Sequence, residues 1–150
     1  MKIATTADFN GSRWTTNAVI HQVPAGLSYL LPVGSVARLF KRNSGKEAVS
    51  VKSLPTDLDM AGSRTGNKIF LHVANMNYTH GIEARFSVNS MVVAAGRVLE
   101  IAPENPRQEV SPLNPDVFKP QEHPLAAVNP VKHTFPARSV SVVELDCLTG

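Results

Sequence analysis

Hydrophobic and polar positions change their period along this chain, and the change predicts its elements. Residues Met1 to Asn17 are polar without a repeat and read as loop. Between Pro32 and Gly45 the period is helical: Val36, Leu39 and Phe40 fall on one face, Ser35 stands where an N-cap would, Arg38, Lys41 and Arg42 suit the negative end of a helix, and Gly45 can stop it. After Gly45 the period becomes two. Val49 and Val51 alternate with Ser50 and Lys52, Pro55 interrupts, and Leu58 to Ser63 is a candidate next strand.

Lys68 to Asn75 is the clearest strand, with Ile69, Leu71 and Val73 on one side and Phe70, His72 and Ala74 on the other; both faces look covered, as in a central strand. Asn75 to Gly81 carries turn chemistry, and Ile82, Ala84, Phe86 and Val88 alternate with Glu83, Arg85 and Ser87, so the two strands read as a hairpin with one wet face on the second. A further strand is expected over Arg97 to Ala102 and a closing one over Ser139 to Leu145. Eight of the 11 prolines lie between Pro103 and Pro136, so that stretch is expected as a long ordered loop, with a short edge strand near Asp116 to Phe118 at most. The expected fold class is all-β: an antiparallel β-sandwich of about seven strands with one short N-terminal helix.

Composition narrows the picture further. A chain of 150 residues with 43% hydrophobic and 18% charged residues is one globular domain with one core. The net charge of +3 comes from 15 Lys and Arg scattered along the chain, without the clustered basic face that nucleic acid calls for. The single cysteine, Cys147, excludes an intramolecular disulfide and a multi-cysteine zinc site. No apolar stretch approaches the roughly 20 residues of a membrane span, and Met1 to Asn10 lack the apolar run of a secretory signal, so the chain reads as soluble; the compartment stays open.

The residues offer little chemistry. Asp57 and Asp59 are a close pair, read as solvated or hydrogen-bonded carboxylates on one strand face. His21, His72, His80, His123 and His133 show neither His-x-His nor His-Glu-x-x-His spacing, and His72 reads as a packed histidine with a satisfied ring. Ser35, Ser139 and Cys147 lack a nucleophile-elbow or Cys-His context, and Gly62 to Gly66 lacks the lysine and serine of a phosphate loop. No catalytic residue, metal ligand or cofactor is assigned.

Three segments together resemble a known arrangement. Arg38-Leu-Phe-Lys-Arg-Asn-Ser-Gly45 followed by a Val-rich strand resembles the last helix of the catalytic barrel in α-L-arabinofuranosidase-like glycoside hydrolases and the passage into their C-terminal sandwich. Lys68-Ile-Phe-Leu-His-Val-Ala-Asn75 is similar to a sandwich strand of those enzymes that ends in an asparagine turn, and Thr134-Phe-Pro-Ala-Arg-Ser-Val-Ser-Val-Val-Glu-Leu145 to their final strand. The resemblance covers about Pro32 to Leu145. None of the three is a catalytic motif. It implies that residues 1–45 are the end of a barrel and 46–150 the C-terminal sandwich. It also implies that this chain alone has no activity, that a parent protein would supply a (β/α)8 barrel as partner, and that the parent's ligand is a plant-polysaccharide-type glycan. The family's acid follows an asparagine in an Asn-Glu pair, and this sequence has no such dipeptide.

On that resemblance Trp14, in the polar stretch Gly11 to Asn17, corresponds to the loop before the last barrel helix and is the one candidate carbohydrate-binding residue; the plainer reading is an anchor for the N-terminal segment. The leading function is a non-catalytic accessory domain. The alternatives are a free-standing carbohydrate-binding module, which predicts exposed aromatic rings around a groove, and a small enzyme, which predicts a charged pocket. If Val36, Leu39 and Phe40 belong to a barrel helix without its barrel, residues 1–45 are expected to be either mobile or buried in a self-association contact through the N-terminal helix.

Overall fold

The computed structural model describes residues 10–11, 18–20, 26, 28–105 and 107–149. Most of the expected N-terminal loop lies outside them. Three two-residue strands, β1 (Asn10–Gly11), β2 (Val19–Ile20) and β3 (Tyr29–Leu30), pair in that order and lead into the helix α1 (Pro32–Arg42). There follow β4 (Glu47–Val49), β5 (Leu58–Thr65), β6 (Lys68–Asn75), β7 (Ile82–Phe86), β8 (Met91–Ile101), β9 (Gln121–Leu125), β10 (Val131–Phe135) and β11 (Val140–Thr149). The architecture is the expected antiparallel sandwich: six strands in the order β4-β5-β6-β11-β8-β9 face the two-stranded sheet β10-β7.

The alternation read in β6 sets the layers. Ile69, Leu71 and Val73 point inward with Val143, Leu145 and Val98, and meet Ala84, Phe86, Val131 and Phe135 of the small sheet. Phe70 points outward with Val142 and Ile101, and there α1 and the proline-rich loop cover the sheet through Leu39 and Phe118. β11 has a neighbour on each edge and a cover on each face. Its Ser141, Val142, Val143 and Leu145 are therefore completely enclosed. Each such aliphatic side chain contributes roughly 1.5–3 kcal/mol by leaving water.

The expected hairpin of β6 and β7 does not form. Both edges of β6 are taken, by β5 and by β11, so the next strand has no edge to join and crosses to the other sheet, where it pairs with β10. Asn75 organises that crossing. Its side-chain oxygen accepts from the Asn77 amide at 2.9 Å, which closes its own turn as expected, while its Nδ2 donates to the carbonyls of Phe135 at 3.0 Å and Pro136 at 2.9 Å. The Asn75 amide donates to Ser139 and the Arg138 amide to Asn77, each at 3.0 Å. One side chain thus ties the outgoing connection to the returning one, where Arg138 adopts φ 57°.

Two local expectations change. Ser35 is not the N-cap: the helix starts four residues earlier, with Leu31 at the cap position and Pro32, whose missing N–H costs nothing there, in the first turn. Gly45 does not end the helix either. Asn43 Nδ2 donates to the Leu39 carbonyl at 2.7 Å and the Ser44 hydroxyl to that of Phe40, so side chains close the last turn. A Cβ on Gly45 would collide with the Arg64 backbone, so the glycine is needed for close approach to β5. In the proline-rich stretch, residues 115–118 form turns, and the strands are β9, an edge that accommodates Pro124, and β10.

Candidate functional site

Chemistry in a sandwich needs ionisable groups brought to one place, and the alternation of strands distributes them over two faces. Glu100 and Glu144 are the buried carboxylates among the described residues. Glu100 pairs across from Ser141 and Glu144 from Arg97, and Ser141 and Glu144 are three positions apart on β11, so the two carboxylates lie on opposite faces of one sheet. They cannot flank a glycosidic bond, which requires carboxyl groups about 5–9.5 Å apart across a shared cleft.

Each is otherwise engaged. Glu100, between the sheets, accepts from the Ser141 hydroxyl at 3.2 Å and lies 3.1 Å from His133 Nε2. Glu144, on the outer face, accepts from Arg97 Nε at 2.8 Å, and Arg97 reaches on to Glu122 at 3.2 Å. The hydrogen bond to Glu144 is the main reason the Arg97 guanidinium holds its proton more tightly than usual; desolvation opposes it, and Glu122 adds to it. Lys68 extends this strip to Asp146 at 3.2 Å.

The sequence candidates are dispersed. Asp57 does not share a strand face with Asp59: it precedes β5 in a turn at φ 67°, where its carboxylate accepts from Asn77 Nδ2 at 3.1 Å. His72 is the satisfied histidine expected, its Nε2–H donating to the Asn43 carbonyl at 2.8 Å and its ring 4.7 Å from that of Phe40. That contact also fastens the end of α1 to the sheet. Cys147 is buried, and burial first, then the Asp146 charge, pushes its thiol pKa up, away from the reactive thiolate. Ser139 is buried, and its hydroxyl has no hydrogen-bond partner among the described residues. Among the described residues no three His, Cys, Asp or Glu gather as metal ligands, and no helix is long and apolar enough to cross a membrane. Trp14 and His21 lie outside the described residues.

The remaining candidate surface is the side of α1 turned away from the sheet. Val36, Leu39 and Phe40 pack inward on Phe70, Ile101 and Val142, whereas Val33, Ala37, Arg38 and Lys41 stay exposed. The helical period thus has one buried stripe and one free stripe, and the free one carries the charge.

Among the described residues the two buried carboxylates share no cleft, and the architecture that holds them is a β-sandwich. No family model matches the chain, and no curated protein sequence does. Solved structures give the fold. The arabinose-bound MgGH51 α-L-arabinofuranosidase superposes at TM-score 0.76 and 21% identity over 91% of this chain and 22% of that one. The α-L-arabinofuranosidase from Thermotoga maritima, in complex with arabinose, gives TM-score 0.74 and 21% identity over 85% and 31%. A family 30 xylanase from Clostridium acetobutylicum follows at TM-score 0.59 and 15% identity over 78% and 28%. The fold is arabinofuranosidase-like, as the sequence resemblance implied, and the chain spans between 22% and 31% of the length of these enzymes.

Proposed function

We propose that this chain is a non-catalytic accessory sandwich of an arabinofuranosidase-like glycoside hydrolase, which packs on and stabilises a (β/α)8 barrel carried elsewhere in the parent protein. The observation that carries the reading is the lopsided coverage, 91% of this chain against 22% of the enzyme it matches. The separation of the buried carboxylates on two sheet faces supports it. On this reading residues 1–45 are the end of the barrel and 46–150 the sandwich. The exposed stripe of α1 formed by Val33, Ala37 and Lys41 is the surface that meets the barrel. Because Val36, Leu39 and Phe40 are already spent on the chain's own sheet, self-association through them loses its apolar driving force.

The test combines an assay with a partner. The purified chain should release no nitrophenol from an aryl α-L-arabinofuranoside above background. The coding region upstream of Met1 should encode a barrel that, when co-expressed, elutes with this chain and melts at a higher temperature than without it. Turnover abolished by a single Glu or Asp substitution in this chain, or a barrel indifferent to it, would overturn the proposal.

A further inference from the structure

Three side chains to which sequence patterning gives capping or helix-dipole roles are left without those roles by the structure, or without a partner. Ser35 is no cap; it lies in the second turn of α1, nine-tenths buried, and lines the groove described below. Arg38 and Arg42 follow at three and seven positions further on, so all three lie along one side of the helix. Neither guanidinium has a carboxylate partner among the described residues, in contrast to Arg64, Arg85 and Arg97, which are all paired. The stripe lines a groove of about 790 Å³, walled by Tyr29 of β3 on one side and by Asp116 and Lys119 on the other. That volume falls in the range of small-ligand sites, roughly 300–1,000 Å³.

We propose that this groove binds a saccharide bearing a carboxylate, that is, an oligosaccharide with a uronic acid residue. Two guanidinium groups one helical turn apart offer forked donors that match a carboxylate, and the Ser35 hydroxyl supplies a further donor at the buried end. The Tyr29 ring provides an apolar wall for a sugar face. Lys119 has a carboxylate partner in Asp116 at 4.0 Å, so the cations of the groove without such a partner among the described residues are the two arginines. The anionic part of the inference rests on the groove alone, whereas the saccharide part rests on the glycoside hydrolase reading above.

The experiment is calorimetric titration of the whole chain at low salt with three probes: a glucuronic acid-substituted xylotriose, neutral xylotetraose and inorganic phosphate. The acidic saccharide is expected to bind at least about tenfold more tightly than either comparator, since a charge-assisted hydrogen bond is worth that much or more. Arg38→Ala and Arg42→Ala, both at exposed positions and therefore expected to keep the parent's circular dichroism, should each weaken it about tenfold or more. Equal affinity for the neutral sugar, equal affinity for phosphate, no saturable binding of the acidic probe, or unchanged binding by folded arginine variants would each overturn the proposal. A barrel that still elutes with a chain failing these titrations would remove this site while leaving the accessory role standing, and the reverse result would do the opposite.

Discussion

The inner and outer faces of the six-stranded sheet bury the same kinds of residue behind different covers. Inside, the lid is a second sheet, and Val98, Val131, Phe135, Val143 and Leu145 are completely enclosed, with the rings of Phe86 and Phe135 meeting edge to face at 5.9 Å. Outside, the lid is one helix and a proline-rich loop. There only Val142 is fully enclosed, Leu39, Phe70, Ile101 and Phe118 keep 3–8% of their surface, and the apolar patch gives way to the Arg97–Glu144 strip. Cover made of strands has a ladder of its own and is tied to the large sheet by the Asn75 side chain and by backbone bonds at Asn75 and Asn77, whereas cover made of a helix is held mainly by side chains and by the His72 contact with Asn43. The outer lid should therefore open at lower free energy than the sandwich itself.

Three substitutions break or sharpen that difference. Val73→Asp places an unpaired carboxylate at the inner interface, where the parent side chain is 1% exposed, and is expected to cost about 4 kcal/mol or more by denaturant titration. A variant that melts with the parent would overturn the strand register. Leu39→Ala empties the outer cluster at a cost of about 2–3 kcal/mol, and hydrogen exchange should show that cost in α1, while amides of β6 and β11 stay protected. Equal loss of protection in α1 and in β6 and β11 would show helix cover and sandwich to be one cooperative unit. Glu83→Gln touches neither face; its exposed pair with Arg85 at 3.1 Å is worth little, and the expected change stays within about 0.5 kcal/mol.

Much of this arrangement was legible from period and turn chemistry. The β6 alternation assigns each residue to its correct face, because side chains in a strand must alternate whatever lies beside them. The Asn75 turn was legible too, since an asparagine that ends a strand can satisfy its own backbone. The reach of the same side chain to Phe135 and Pro136 was not, because those carbonyls are 60 and 61 residues away and nothing local announces them. The Ser35 cap misled for a similar reason. Pro32 at the first helical position is an equally good start signal, and the contact of Gly34 with the Ala18 backbone, made possible by its missing Cβ, favours the earlier start. Of the candidate groove, the sequence displayed the cations but accounted for them by the helix dipole, and only the lack of carboxylate partners among the described residues sets them apart as the proposed binding stripe.

By itself, then, the sequence determined where the helix and most of the strands run and which side of each is apolar, since these follow from side-chain period and local backbone preference, while the arabinofuranosidase-like kind of sandwich was what the resemblance implied. The tertiary structure alone decided which strands are neighbours, that β7 leaves the sheet of β6, and that the two buried carboxylates face opposite ways. Pairing is a competition among distant edges, and a residue's period records its face but not its partner.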